Sequence, residues 1–170
     1  NSYDDPRWKR PEVIMVWGKE PLKSNPDGFW GHSIVDMYAM GTKFIVVDPR
    51  LTWEAARAEI WLQVRPGTDA ALGMAMCNII ISEDLYDHDF VDKWTFGFDE
   101  FADRVRTMSP EEAADICEVP VEKIYAAARL FATAKPAALQ WGLAVDQKPN
   151  GIQMGFCCLA MMAITGNLDV

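Results

Sequence analysis

Phe44-Ile45-Val46-Val47 is a run of four apolar residues with no polar break, and it stops at Asp48-Pro49-Arg50. A half-exposed strand alternates apolar with polar. An unbroken β-branched and aromatic run predicts a strand covered on both faces, as in the middle of a parallel sheet. Pro49 carries no N–H and fixes φ, so ladder pairing cannot pass it. Asp48 and Arg50 therefore mark a sheet edge, and that edge is the first place to look for a ligand. Val13-Ile14-Met15-Val16-Trp17, set between Pro11 and Gly18, has the same character and predicts a second buried strand.

Around these two strands the remaining elements fall into order. Residues 1–12, polar and holding Pro6 and Pro11, read as an N-terminal arm. After the first strand come a loop, Gly18 to Pro21, and a turn-rich stretch, Lys23 to Gly28. Ile34, Val35, Tyr38 and Met40 predict an amphipathic helix that Gly41 stops. Past Arg50, Thr52 to Arg57 predicts a short helix capped by Thr52, and Ile60 to Val64 a third strand. A helix follows from Ala70 to about Ser82, with Thr68 or Asp69 as its cap. Strand and helix have then alternated three times, which predicts parallel pairing through right-handed crossovers.

From Glu83 to Lys135 the pattern is helical throughout: Asp89 to Trp94, Phe98 to about Met108, a helix opened by Ser109-Pro110-Glu111-Glu112, and the alanine-rich Val121 to Ala134. Ala137 to Trp141 reads as a fourth strand, Gly142 to Asn150 as a loop, and Gly151 to Ile164 as a helix with no polar face, which something must cover. The expectation is an α/β fold of three layers, Rossmann-like, with about four parallel strands in the order 3-2-1-4 and helices on both faces. Residues 13–170 form its one domain. A chain that stops at Val170, just past the apolar helix, is expected to be a piece of a longer polypeptide.

Composition excludes more than it identifies. The net charge of −9 disfavours a general nucleic-acid surface, because neutralising phosphates takes clustered Lys and Arg. No apolar run approaches the ~20 residues of a membrane-spanning helix, and Asn1 to Asp5 has no signal-peptide pattern. Cys77, Cys117, Cys157 and Cys158 show no C-x-x-C spacing, so neither a zinc site nor an iron–sulfur cluster is expected within the chain. Buried structural cysteines are the simpler reading.

Open parallel sheets bind ligands outside the carboxyl ends of their strands, near the point where strand order reverses. Four ends meet there: Gly18, Lys19 and Glu20 after strand 1, Asp48 and Arg50 after strand 2, Arg65, Gly67, Thr68 and Asp69 after strand 3, and Gly142 after strand 4. Asp48 stands where dinucleotide folds place the acid that accepts ribose hydroxyls. Arg50 and Arg65 suit phosphate, as do free amides at the helix start after Gly67. Asp69 suits the paired donors of a guanine edge. Strand-end Asp and Thr also serve simply as helix caps, with arginines pairing to them. Trp17 and Trp141 are candidates for stacking on a ring system, with core packing the better-supported role.

Four segments carry a family resemblance: Val47-Asp48-Pro49-Arg50, Arg65-Pro66-Gly67-Thr68-Asp69-Ala70-Ala71-Leu72, Leu85-Tyr86-Asp87-His88-Asp89-Phe90-Val91 and Thr165-Gly166-Asn167. Together they resemble the molybdopterin oxidoreductases of the dimethyl sulfoxide reductase superfamily, from Val13 onward. The resemblance implies one central α/β domain of an enzyme that holds molybdenum or tungsten on molybdopterin guanine dinucleotide. Asp48, Arg50, Thr68 and Asp69 would then contact guanosine or phosphate, and the loop Gly142 to Gln147 would approach the pterin and the metal. Where the family commonly has a G-S-N turn after strand 1, this chain has Gly18-Lys19-Glu20.

What the resemblance implies of the whole protein is two-electron redox or oxygen-atom transfer on a small substrate. An iron–sulfur cluster would lie elsewhere in the polypeptide, an electron-transfer subunit is a possible partner, and the setting is the bacterial cytoplasm or periplasm. The 170 residues alone are expected to be inactive, with no catalytic residue and no metal ligand of their own. A second reading is a stand-alone nucleotide-binding or regulatory α/β domain without redox chemistry.

Overall fold

The structure, a computed structural model, describes residues 9–24 and 29–168. The arm expected over residues 1–12 therefore lies outside the described residues up to residue 8, as does the turn-rich stretch over 25–28. Four parallel strands form one sheet: β1 (Val13–Trp17), β2 (Lys43–Val47), β3 (Ile60–Leu62) and β4 (Ala137–Trp141). Their order is β3-β2-β1-β4, as the alternation predicts. β1 is central, pairing Trp17 with Val47 on one side and with Trp141 on the other.

Successive residues of β1 and β2 point to opposite faces, and both faces are filled. Val13, Met15, Trp17, Ile45 and Val47 face the larger core, made with α3 (Asp69–Ser82), α7 (Val121–Thr133) and α9 (Gly151–Ile164). Ile14, Val16, Phe44 and Val46 face a smaller one with Ile34 and Met37 of α2 (Phe29–Ala39). Each fully buried side chain of this size contributes about 1.5–3 kcal/mol relative to exposure. The unbroken apolar runs thus follow from a sheet that is wet on neither side.

Several boundaries differ from the expectation. β3 ends at Leu62 because the N–H of Val64 turns back to the carbonyl of Leu62 at 3.0 Å, which takes Gln63 and Val64 off the ladder. Pro21–Ser24 closes a single helical turn, α1, and Leu143–Asp146 another, α8, where loops were expected. Only Ala55–Arg57 is helical after β2, as a 3-10 turn, and the Thr52 hydroxyl accepts the Ala55 N–H at 3.1 Å. The other helices are α4 (His88–Trp94), capped by the Asp87 carboxylate on the Phe90 N–H, α5 (Phe98–Arg106) and α6 (Pro110–Cys117), capped by Ser109.

The Thr165-Gly166-Asn167 segment has a structural task. Asn167 accepts the N–H of Ala137 at 2.8 Å and donates to the Thr165 hydroxyl at 2.8 Å, fixing the start of β4 to the end of α9. Gly166 turns the chain at φ +64. On the outer side of α9, Ile152, Phe156 and Leu159 are 74, 66 and 51% exposed. Beside them a cavity of ≈ 580 Å³ is lined by Met74, Phe101, Phe156 and Leu159 among others. The four cysteines are free and buried, and desolvation pushes the Cys158 thiol up to about 12.

Two measurements test this packing. A Cβ on Gly73 of α3 would lie 2.8 Å from Cβ of Cys157 and 2.9 Å from the sulfur of Met154 on α9, whereas one on Gly155 meets nothing within 4 Å. Gly73→Ala is expected to cost about 1–3 kcal/mol by overpacking, and Gly155→Ala to gain about 0.5–1 kcal/mol of helix propensity, both read from urea midpoints. Alkylation needs thiolate, so iodoacetamide at pH 8 should leave Cys158 unmodified in the folded chain and label it in urea.

Candidate functional site

Since all four strands run the same way, their carboxyl ends share one edge, and the order reverses between β1 and β4. A cavity of ≈ 420 Å³ opens there, lined by Gly18, Lys19, Glu20, Ser24, Trp141, Gly142, Leu143, Ala144 and Asp146. Gly18 sits at φ +56. A Cβ on Gly142 would stand 2.5 Å from the carbonyl oxygen of Gly18, so the two strand ends approach more closely than any side chain permits. The Gly142 N–H still bonds the Trp17 carbonyl at 3.0 Å, and the Gly18 N–H the Val47 carbonyl at 2.8 Å.

Two charged clusters flank this cavity. The first joins the ends of β1 and β2. Asp48, 2% exposed, accepts the Arg50 backbone N–H at 2.8 Å and faces its guanidinium at 3.3 and 3.4 Å. Arg50 also reaches Glu20, 8% exposed, at 3.2 Å, and Glu20 pairs with Lys23 at 3.1 Å. The hydrogen bond and charge of Asp48 raise the guanidinium above its usual pKa, and the charges of Glu20 and Glu54 add to this. Glu54 is fully buried, and neither of its carboxyl oxygens has a hydrogen-bond partner among the described residues.

The second cluster joins β1, α3 and the loop before α9. Asp69, 3% exposed, accepts the indole N–H of Trp17 at 3.0 Å on one oxygen and Lys148 at 2.6 Å on the other. Neither Thr68 nor Asp69 caps α3 with its side chain: the Thr68 hydroxyl donates to the Arg65 carbonyl at 2.7 Å, and Asp69 is turned to Trp17 and Lys148. The Asp69 carboxylate in the first turn also complements the helix dipole that was expected to attract an external anion.

The remaining residues are placed more loosely. Arg65 is exposed, with its guanidinium 3.4 Å from Glu118 beyond α6. Gly67 turns at φ +92 and its carbonyl accepts the Asn150 side chain at 3.0 Å. Gln147 is exposed, with its N–H on the Leu143 carbonyl. Trp17 is core, as favoured, but is also a hydrogen-bond donor; Trp141 lines the cavity and donates to Asp146 at 3.1 Å. Sequence reasoning missed Lys148, Asp146 and Glu54. Asp146 and Lys148 flank Gln147 in a loop already singled out, whereas nothing local marks Glu54 as buried. Among the described residues no three His, Cys, Asp or Glu side chains gather as a metal site, and no helix is long and apolar enough to cross a membrane.

Comparison with known proteins identifies the family. The sequence profile of the family described as Molybdopterin oxidoreductase matches residues 3–170. Acetylene hydratase of Syntrophotalea acetylenica is 41% identical over 98% of this chain and 23% of its own length. Formate dehydrogenase H of Escherichia coli (strain K12) is 35% identical over 92% of this chain and 22% of its own. Among solved structures, acetylene hydratase from Pelobacter acetylenicus superposes with a TM-score of 0.86 at 35% identity, covering 99% of this chain and 22% of that one. The chain belongs to the molybdopterin oxidoreductase family, and spans about a quarter of the length of these relatives. That membership does not favour a stand-alone regulatory domain.

The two kinds of ion pair at this edge should respond differently to removal of the cation. Lys148→Met leaves Asp69 buried with only Trp17 to serve it, and is expected to cost about 3 kcal/mol. Arg65→Met breaks an exposed pair and should cost less than about 1 kcal/mol. Urea denaturation of both variants checks the contrast.

Proposed function

We propose that residues 13–170 are the domain of a molybdenum or tungsten enzyme that holds the guanosine diphosphate end of a molybdopterin guanine dinucleotide. The observation that carries the reading is the crevice between β1 and β4, where a glycine-walled cavity adjoins carboxylates buried at the strand ends. Ribose hydroxyls and the guanine N–H groups are donors, and acceptor-only carboxylates suit them. The buried carboxylates of Asp48, Glu20 and Asp69 beside a cavity that Gly18, Glu20 and Gly142 line fit such a ligand.

Asp48, facing donors at the end of β2, would accept the ribose. Arg50, more than half exposed, would present its outer N–H groups to phosphate while Asp48 and Glu20 hold its inner side. Asp69 would contribute to the guanine pocket through a carboxylate already oriented by Trp17 and Lys148. Gly142 to Gln147 would line the path toward the pterin, whose bound metal supplies two-electron chemistry when present. An iron–sulfur cluster and an electron-transfer partner belong, in this reading, to the rest of the polypeptide and its complex. The named relatives include a hydratase and a dehydrogenase, so the residues here set the holding of the cofactor and not the choice of reaction.

The test is Asp48→Asn in the full-length protein. Asn retains the acceptor for the Arg50 N–H but loses the charge. GMP released per folded polypeptide on acid hydrolysis is expected to fall about tenfold when cofactor is limiting, the equivalent of one charge-assisted hydrogen bond, with a small change in Tm. Unchanged GMP content with a lowered Tm would overturn the reading. Asp69→Ala is less clean, because it also strands Trp17 and Lys148.

A further inference from the structure

The chemistry of the crevice leaves the cysteines of the larger core unused. Cys77 on α3 and Cys157 on α9, 80 positions apart in sequence, meet where the two helices pack: the Cys77 sulfur lies 3.8 Å from the Cys157 carbonyl oxygen. One turn back along α3, a Cβ on Gly73 would stand 2.8 Å from Cβ of Cys157. Residues four apart share a helix face, so Gly73 and Cys77 present one surface to Cys157. Bridging two cysteines takes Cβ atoms roughly 3.5–4.5 Å apart, a spacing that helices in such close contact can meet. The two thiols are not alike. Cys157 lines the apolar cavity of ≈ 580 Å³ beside α9 and is 5% exposed, whereas Cys77 is 0% exposed and does not line it. Hydrogen bonding to Cys77 lowers the Cys157 thiol below its usual pKa, and the same bond, with burial, holds Cys77 well above.

We propose that Cys157 and Cys77 form a site for oxidation by a hydroperoxide that enters through this cavity, Cys157 being the sulfur attacked and Cys77 the one that closes a disulfide. The Cys157 thiolate displaces hydroxide from the peroxide: an S–O bond forms, the O–O bond breaks, and Cys157 becomes a sulfenic acid. The Cys77 sulfur then attacks the Cys157 sulfur and loses its proton; the S–S bond forms and the S–O bond breaks, releasing water. In sum two thiols give up two electrons and two protons, and hydrogen peroxide is reduced to two waters. Cys158 is set apart from this pair. It points ~100° away from Cys157 around α9, it does not line the cavity, and burial pushes its thiol up to about 12. The bond would tie α3 to α9, which Asp69 at the start of one and Lys148 just before the other already join by an ion pair.

The experiment treats the folded full-length protein, fully reduced, with a molar excess of hydrogen peroxide, then alkylates it in urea and maps the peptides by mass spectrometry. The expected product is the Cys77 peptide joined to the Cys157 peptide, two hydrogens lighter than their sum, with loss of alkylation at both and Cys158 alkylated as before. The link should form equally in Cys158→Ser. In Cys77→Ser the sulfenic acid has no partner to resolve it, so dimedone should label Cys157 in the folded protein. The map on the unaltered protein needs no variant to fold, so it decides the proposal by itself. Two free thiols after peroxide, a bond between Cys157 and Cys158, or a link from either residue to a cysteine elsewhere in the polypeptide would each overturn it. So would a Cys77–Cys157 bond that forms only when peroxide is added in urea, because the folded arrangement would then play no part.

Discussion

Parallel pairing of β1 with β2 on one side and with β4 on the other decides where everything else lies. Parallel neighbours must be joined by crossovers, so each strand ends on the same edge and the helical segment that next follows each strand begins on that side. Because β4 joins on the far side of β1, the connections on the two sides diverge and leave a crevice. The backbone at that point is bare: Gly18 and Gly142 approach until no Cβ fits between them. A crevice floored by backbone and flanked by charge is a product of topology before any side chain is chosen.

What the side chains add is an uneven distribution of charge. On the β2 side, Arg50 is shared between Asp48 and Glu20. On the α3 side, a single carboxylate, Asp69, ties the end of the central strand to the loop before α9 through Trp17 and Lys148. In the first cluster both Asp48 and Glu20 are paired with Arg50, and Glu20 also with Lys23. The second is balanced, and serves to hold the crevice walls at a fixed spacing.

Much of this was legible beforehand. The runs Val13 to Trp17 and Phe44 to Val47 announced strands covered on both faces, and the alternation of elements gave the strand order. Asp48 and Arg50, two residues apart, could be paired from sequence because local geometry settles their contact. Asp69 could be placed at the edge, but its partners lie 52 and 79 positions away, and its supposed capping role yielded to them. The single-turn helices α1 and α8 were missed because four residues carry no periodicity, so only their tertiary setting decides them. Glu54 was unreadable for a related reason: a glutamate beside Thr52 in a short helix looks solvated until the surrounding elements close over it.

The outer stripe of α9 has a consequence of a colloidal kind. Ile152, Phe156 and Leu159 recur every three or four residues and present one continuous apolar band beside an apolar hollow. Where water meets such a band, molecules attract one another through it, and the attraction grows on warming and in sulfate, which is excluded from protein surfaces. The net charge of −9 opposes this at low ionic strength and is screened as salt is added. In the isolated chain the apolar band on α9 and the charge of the whole molecule therefore pull self-association in opposite directions.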